Sequence, residues 1–189
     1  MTPLTSKHSD ALDELLDSRM ERQIERQHVF DGEAARLVDL VQRADPVSGK
    51  TAVGLWDGEV LIGAVALQWA APEDGWTIEE RQEPTLLVAL AHAHPSHRRV
   101  GRLLTPWVRD YAARQPNPPA WVRCTVRVPR LADYFQRTCG WQSVREVALP
   151  GKRTMHLLQQ TPKTDDGLGS LIRSEGQIAP TPSAQGGLG

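Results

Sequence analysis

His94-Pro95-Ser96-His97-Arg98-Arg99-Val100-Gly101-Arg102-Leu103-Leu104-Thr105-Pro106-Trp107 joins two differently patterned parts of this chain. The apolar run from Leu86 to Ala93 leads into it and predicts a buried strand. An amphipathic pattern leaves it: Val100, Leu103, Leu104, Trp107, Val108 and Tyr111 fall on one face of a helix. Arg98, Arg99 and Arg102 crowd the junction. A helix N-terminus already carries partial positive charge, so arginines there are misplaced unless an anion joins them. Free backbone N–H groups, a glycine and guanidinium groups together predict a phosphate seat.

The chain has 189 residues, of which 40% are hydrophobic, enough for one domain with a sizeable core. Its net charge of −1 argues against wholesale nucleic-acid binding. The two cysteines, Cys124 and Cys139, form neither a disulfide framework nor a CxxC pair, which suits a reducing cytoplasm. The polar stretch Met1 to Asp10 lacks a signal-peptide core, and no run approaches the roughly 20 apolar residues of a membrane span. No nucleic-acid or membrane partner is expected.

Outward from the junction, the pattern predicts helices over 9–29 and 32–43, then two strands, Thr51–Trp56 and Glu59–Trp69, around the turn Asp57-Gly58. Residues 70–84 carry Pro72, Asp74-Gly75 and Pro84 and predict a loop. A strand over 85–93 precedes the amphipathic helix, which runs to about 114. Next comes Trp121–Val128, with Trp121, Arg123, Thr125 and Arg127 on one face, and Arg123, Arg127 and Arg130 are expected to be solvated. A short helix over 130–138 stops at Cys139-Gly140, and strands over 141–149 and 152–159 close the domain. Residues 161–189 are rich in Gly, Ser, Thr, Pro and Asp and predict a disordered tail, with Leu171-Ile172-Arg173 as a weak docking element at most. The domain is therefore drawn at 1–160.

HPSHRRVGRLLTPWVRDYAARQ and PRLADYFQRTCGWQSVREV, in this element order, resemble the acetyl-CoA loop and the later helix–strand unit of the GNAT N-acetyltransferase superfamily. The resemblance spans about residues 10–160. It is closest to a compact bacterial group whose loop helix reads Gly-x-Leu-Leu-Thr. It implies an α/β (α+β) fold: a central twisted, mixed, mostly antiparallel sheet flanked by helices. The first strand is short or missing here, since only Met1 to Ser9 precede the first helix.

The same resemblance implies an acyltransferase that moves an acetyl group from acetyl-CoA to a primary amine of a small molecule or peptide. A non-catalytic acyl-CoA-binding or regulatory module is the alternative, and monomer and homodimer are both open. Arg98, Arg99, Val100, Gly101, Arg102 and Leu103 are expected to hold the diphosphate, and Ala91, His92 and Ala93 the pantetheine arm. Tyr134, just before Gly140-Trp141, is the candidate acid for the leaving sulfur, with Phe135 competing for that slot. His92, polar on an apolar strand, is the candidate base, and Glu80 and Glu83 are its rivals. His92, His94 and His97 also suggest zinc, but no carboxylate or thiolate joins them and the arginines repel a cation, so no metal is expected. Most of the six tryptophans read as core. Trp76, in a polar loop, is the exception that could border an acceptor site.

Overall fold

Gly58, at φ 59°, closes the hairpin that Asp57-Gly58 predicts, a backbone region open to glycine at no steric cost. The computed structural model describes residues 1–25, 32–43, 49–70, 74–97, 99–150 and 153–174. Strands β1 (Thr2–Pro3), β2 (Lys50–Asp57), β3 (Val60–Gln68), β4 (Thr85–Ala93), β5 (Trp121–Val126), β6 (Gln142–Leu149) and β7 (Arg153–Gln160) form one sheet. Their order is β1-β2-β3-β4-β5-β7-β6. The sheet is mixed and mostly antiparallel, and the first strand is present but only two residues long. β4 and β5 are the parallel pair, as their connection through a long helix requires.

Helices α1 (Ser9–Glu25) and α2 (Glu33–Gln42) cover one side of the sheet. Leu12, Leu15, Leu37 and Val41 are buried there with Ala52, Ala64 and Ala66. The predicted end of the first helix, 26–29, lies outside the described residues. Helices α4 (Val100–Ala113) and α5 (Pro129–Cys139) cover the other side. Trp107, Val108, Ala132 and Trp141 are buried there with Val88, Val122, Cys124 and Val126. Pro106 sits in the second turn of α4, where it cannot donate to the Arg102 carbonyl. The predicted 70–84 loop contains a short helix, α3 (Ile78–Gln82). Its capping box was visible as Thr77-x-x-Glu80: Glu80 N–H donates to Thr77 Oγ1 at 3.2 Å, and Thr77 N–H donates to Glu80 Oε2 at 2.8 Å.

Two expectations are corrected. Arg123 is not on a solvated face. The residue is 1% exposed, and its guanidinium donates to Thr85 Oγ1 at 3.1 Å and to the Glu80 carbonyl, and pairs with Glu83. Trp76, buried beside Met155 and Leu157, lies 4.4 Å from the guanidinium carbon, so that loop folds over the strand and hides it. Trp76 is thus a core residue.

The expected unstructured tail is ordered over 161–174, whereas 175–189 lie outside the described residues. Leu168 and Ile172 reach the core that holds Trp107 and Ala112. Polar contacts fasten the segment to α4: Arg109 Nε to the Thr161 carbonyl at 3.0 Å, Asp165 N–H to Asp110 Oδ1 at 2.8 Å, and Trp107 Nε1 to Ser174 Oγ at 3.0 Å. Burial of Leu168 and Ile172 offsets part of the entropy lost in ordering this otherwise polar segment.

Candidate active site

β4 and β5 are in register only from Thr85↔Trp121 to Val88↔Cys124. Beyond that point they part. Opposite Val65 of β3, β4 carries two residues, Leu90 and Ala91, a bulge marked by the left-handed φ of 50° at Leu90. Parting and bulge together open a cleft of about 500 Å³. Ala91 and His92 of β4, Cys124 and Thr125 of β5, Gly101 and Thr105 of α4, and Phe135 and Trp141 line it, and the start of α2, Gly32 to Ala35, closes the other side. Trp141 Nε1 donates to Thr105 Oγ1 at 3.1 Å, which ties α4 to the segment after α5. Burial pushes the Cys124 thiol far up, so it stays neutral.

The two predicted catalytic residues part company. His92 is on the cleft wall, 7% exposed, and lies opposite Ala64 in register, which puts it on the α1/α2 side of the sheet. Tyr134 is not on the wall; Phe135 is. The Tyr134 ring instead lies against Gly101, where an added Cβ would come within 2.9 Å of Cε1 and 3.3 Å of the hydroxyl. Burial, then the neighbouring Cys139 thiol, raise the Tyr134 pKa, with Arg102 opposing them. Gly101 is therefore required by the contact between α4 and α5 as well as by any close approach of a ligand.

At the start of α4 the structure separates side chains that the sequence runs together. Val100 is buried, and Leu103 is half-buried against the same core. Both can act toward a ligand only through their backbone. Arg99, at the N-cap position, and Arg102 are exposed. No side chain caps the helix, so the N–H groups that a helix start leaves without intrahelical partners face outward beside two guanidinium groups. Arg98 lies outside the described residues. Ala93 faces Gly63 in register and packs on the core. His94 and His97 approach through their Nδ1 atoms at 3.4 Å, but among the described residues no three histidine, cysteine or acidic side chains are grouped to hold a metal ion. Nor is any described helix long and apolar enough to cross a membrane. Sequence reasoning missed Thr105, Cys124, Glu33 and Arg127 on the cleft. The inward alternation of β5 was the signal for Cys124, while nothing local placed α2 at the cleft.

The fold is shared with known structures. An acetyltransferase from Thermus thermophilus superposes with a TM-score of 0.58 at 17% identity, over 84% of this chain and 94% of that one. The GNAT domain of PAT from S. lividans gives 0.55 at 12%, over 84% and 88%. The chain has the GNAT fold. An acyl-CoA N-acyltransferase from Pseudomonas aeruginosa gives 0.54 at 18%, over 84% and 93%. No protein-family model matches the sequence, and no curated protein is similar to it by sequence. The GNAT likeness is thus one of backbone architecture, carried at sequence identities too low to carry a substrate with it.

Proposed function

We propose that this chain transfers an acetyl group from acetyl-CoA to a primary amine of a small molecule or peptide. The observation that carries the proposal is the opening between β4 and β5 beyond Val88↔Cys124, which ends at the uncapped, arginine-flanked start of α4. The lining between these points is mainly apolar, which suits the methylene and methyl groups of a pantetheine arm, while its amides need backbone partners. The fold shared with acetyltransferases supports the same reading.

In this reading Arg98, Arg99 and Arg102 hold the diphosphate together with the first-turn N–H groups of Val100, Gly101 and Leu103. The bulged end of β4, Ala91 to Ala93, offers its backbone to the arm. Acetyl-CoA supplies an activated acyl carbon as a thioester. A C–N bond replaces a C–S bond, the ammonium nitrogen must lose two protons, one before it attacks and one from the tetrahedral adduct, and one proton must reach the leaving sulfur. His92, on the α1/α2 side of the sheet, receives the first. Phe135, and not Tyr134, lines the cleft, and in this reading the sulfur takes its proton from solvent.

Titrating acetyl-CoA calorimetrically tests the binding. Saturable binding is expected, weakened at least about tenfold when Arg99 and Arg102 are both changed to Glu, and more so at low salt. A wild-type protein that ignores acetyl-CoA at millimolar concentration overturns the proposal. Saturable binding with no acetylation across an amine panel read by mass spectrometry would mark a binding module on the same fold. Single-turnover rates then assign the chemistry. His92→Gln is expected to lose about a hundredfold or more with acetyl-CoA affinity kept. Tyr134→Phe should stay within about twofold, because its ring packs against Gly101 and is not among the lining residues of the cleft. A large loss in Tyr134→Phe would return the acid role to that residue.

A further inference from the structure

The cleft has a chemical polarity that bears on the acceptor. Side chains of β5 alternate: Val122, Cys124 and Val126 enter the core under α4 and α5. Arg123 pairs in register with Leu87 and points the other way, onto Trp76. Thr125 follows Arg123 to that side, which is the side of α2 and of His92, and Arg127 comes directly after the last residue of β5. Both line the cleft and both are exposed. Facing them across the opening is the first turn of α2, with Glu33. Glu33 and Arg127 are the acidic and the basic side chain among the described residues of the lining, which is otherwise mostly apolar.

The arginines nearby are not equivalent. Arg123 is engaged by Glu83, and Arg145 pairs with Glu80. Arg127 makes no ion pair with any described residue. A lone guanidinium on an open surface is ordinary. This one stands two residues from the Thr125 hydroxyl, and both line the same mostly apolar cleft as His92. A guanidinium fork beside a hydroxyl matches a carboxylate in both charge and shape.

We infer that the acceptor carries a carboxylate as well as the amine that is acylated, as an amino acid or a short peptide does, and that Arg127, assisted by Thr125, holds that carboxylate. The inference rests on the acetyl-transfer reading. Arg127 is a specificity-determining residue here and takes no part in the chemical step.

The test compares acceptor pairs that differ only at the carboxylate, each amino acid against its own amide, with acetyl-CoA as donor. Wild type is expected to prefer the acid about tenfold or more in kcat/KM, expressed in KM. Arg127→Gln, a change at an exposed position, should reduce the acid-to-amide ratio to near one with acetyl-CoA affinity unchanged, and Arg127→Lys should restore part of it. Equal ratios in wild type and Arg127→Gln would overturn the inference, as would a selective loss of acetyl-CoA affinity, which would put Arg127 on the cofactor. Absence of acetyl-CoA binding in wild type removes the parent reading and this one with it, whereas binding with transfer to neutral-bodied amines alone removes this one only.

Discussion

Replacing Arg123 with alanine is expected to cost about 3–5 kcal/mol of folding stability, the range for breaking a buried charged pair from one side. The residue is 1% exposed, and its guanidinium answers to four polar partners: Glu83, the Glu80 carbonyl, Thr85 Oγ1 and Gln159 Oε1. Its removal leaves the Thr85 hydroxyl and the Glu80 carbonyl without that donor, and leaves a void under Trp76. Glu83 itself is 43% exposed and can turn to water, which holds the cost toward the lower end. Arg123→Met keeps the volume and should cost less than the alanine variant. Urea denaturation reads both, and a loss under about 1 kcal/mol in Arg123→Ala would show that the buried network is not a stabilising element. The pH dependence carries a sign. The hydrogen bond from Arg123 is the main cause holding the Glu83 carboxyl below its ordinary range. A lowered carboxylate pKa adds stability above the unfolded value, and that stability is lost as pH falls through the folded one. Wild type should therefore lose stability on the acid side of the carboxylate range more steeply than Arg123→Met.

The misplacement of Arg123 shows where sequence reasoning stopped. Period-two alternation correctly gives β5 one apolar face. It does not say what covers the other. That cover is Trp76, 45 residues upstream of Trp121 in a loop whose Pro and Gly content hides a buried aromatic. The two helices of the site were legible because their apolar faces repeat, and β4 was legible to the residue as a run over 85–93. The choice between Tyr134 and Phe135 was not. The rotational setting of α5 depends on Gly140, at φ 73°, ending the helix, and on how closely Gly101 lets the Tyr134 ring approach. Both are contacts between elements, and neighbouring aromatics on one helix look alike until that setting is fixed. The tail was hidden by averaging: its overall composition is polar, but Leu168 and Ile172 stand one helical turn apart and join the core that holds Trp107 and Ala112.

Deleting the chain beyond Gln160 is expected to cost about 4–6 kcal/mol, since fully burying each of two aliphatic side chains contributes roughly 1.5–3 kcal/mol and their loss also uncovers core surface. Leu168 and Ile172 are 5% and 6% exposed and pack in the same core as Trp107, itself 2% exposed. The deletion also removes the partners that segment gives Arg109, Asp110 and Arg114 along the outer face of α4. Those contacts fasten the C-terminal half of the helix whose N-terminal turn faces the proposed diphosphate site. The effect should therefore reach the ligand: thermal unfolding falls, and acetyl-CoA affinity falls with it even at temperatures where the truncated protein remains folded. Leu168→Ala and Ile172→Ala separate the two causes. Each should lose about 2–4 kcal/mol by leaving a cavity while the polar contacts to α4 persist, so affinity should hold at low temperature. If the truncated protein unfolds at the wild-type temperature, the segment is not part of the folded domain. If it is destabilised yet binds acetyl-CoA with wild-type affinity, the strap supports the core but does not set the position of α4.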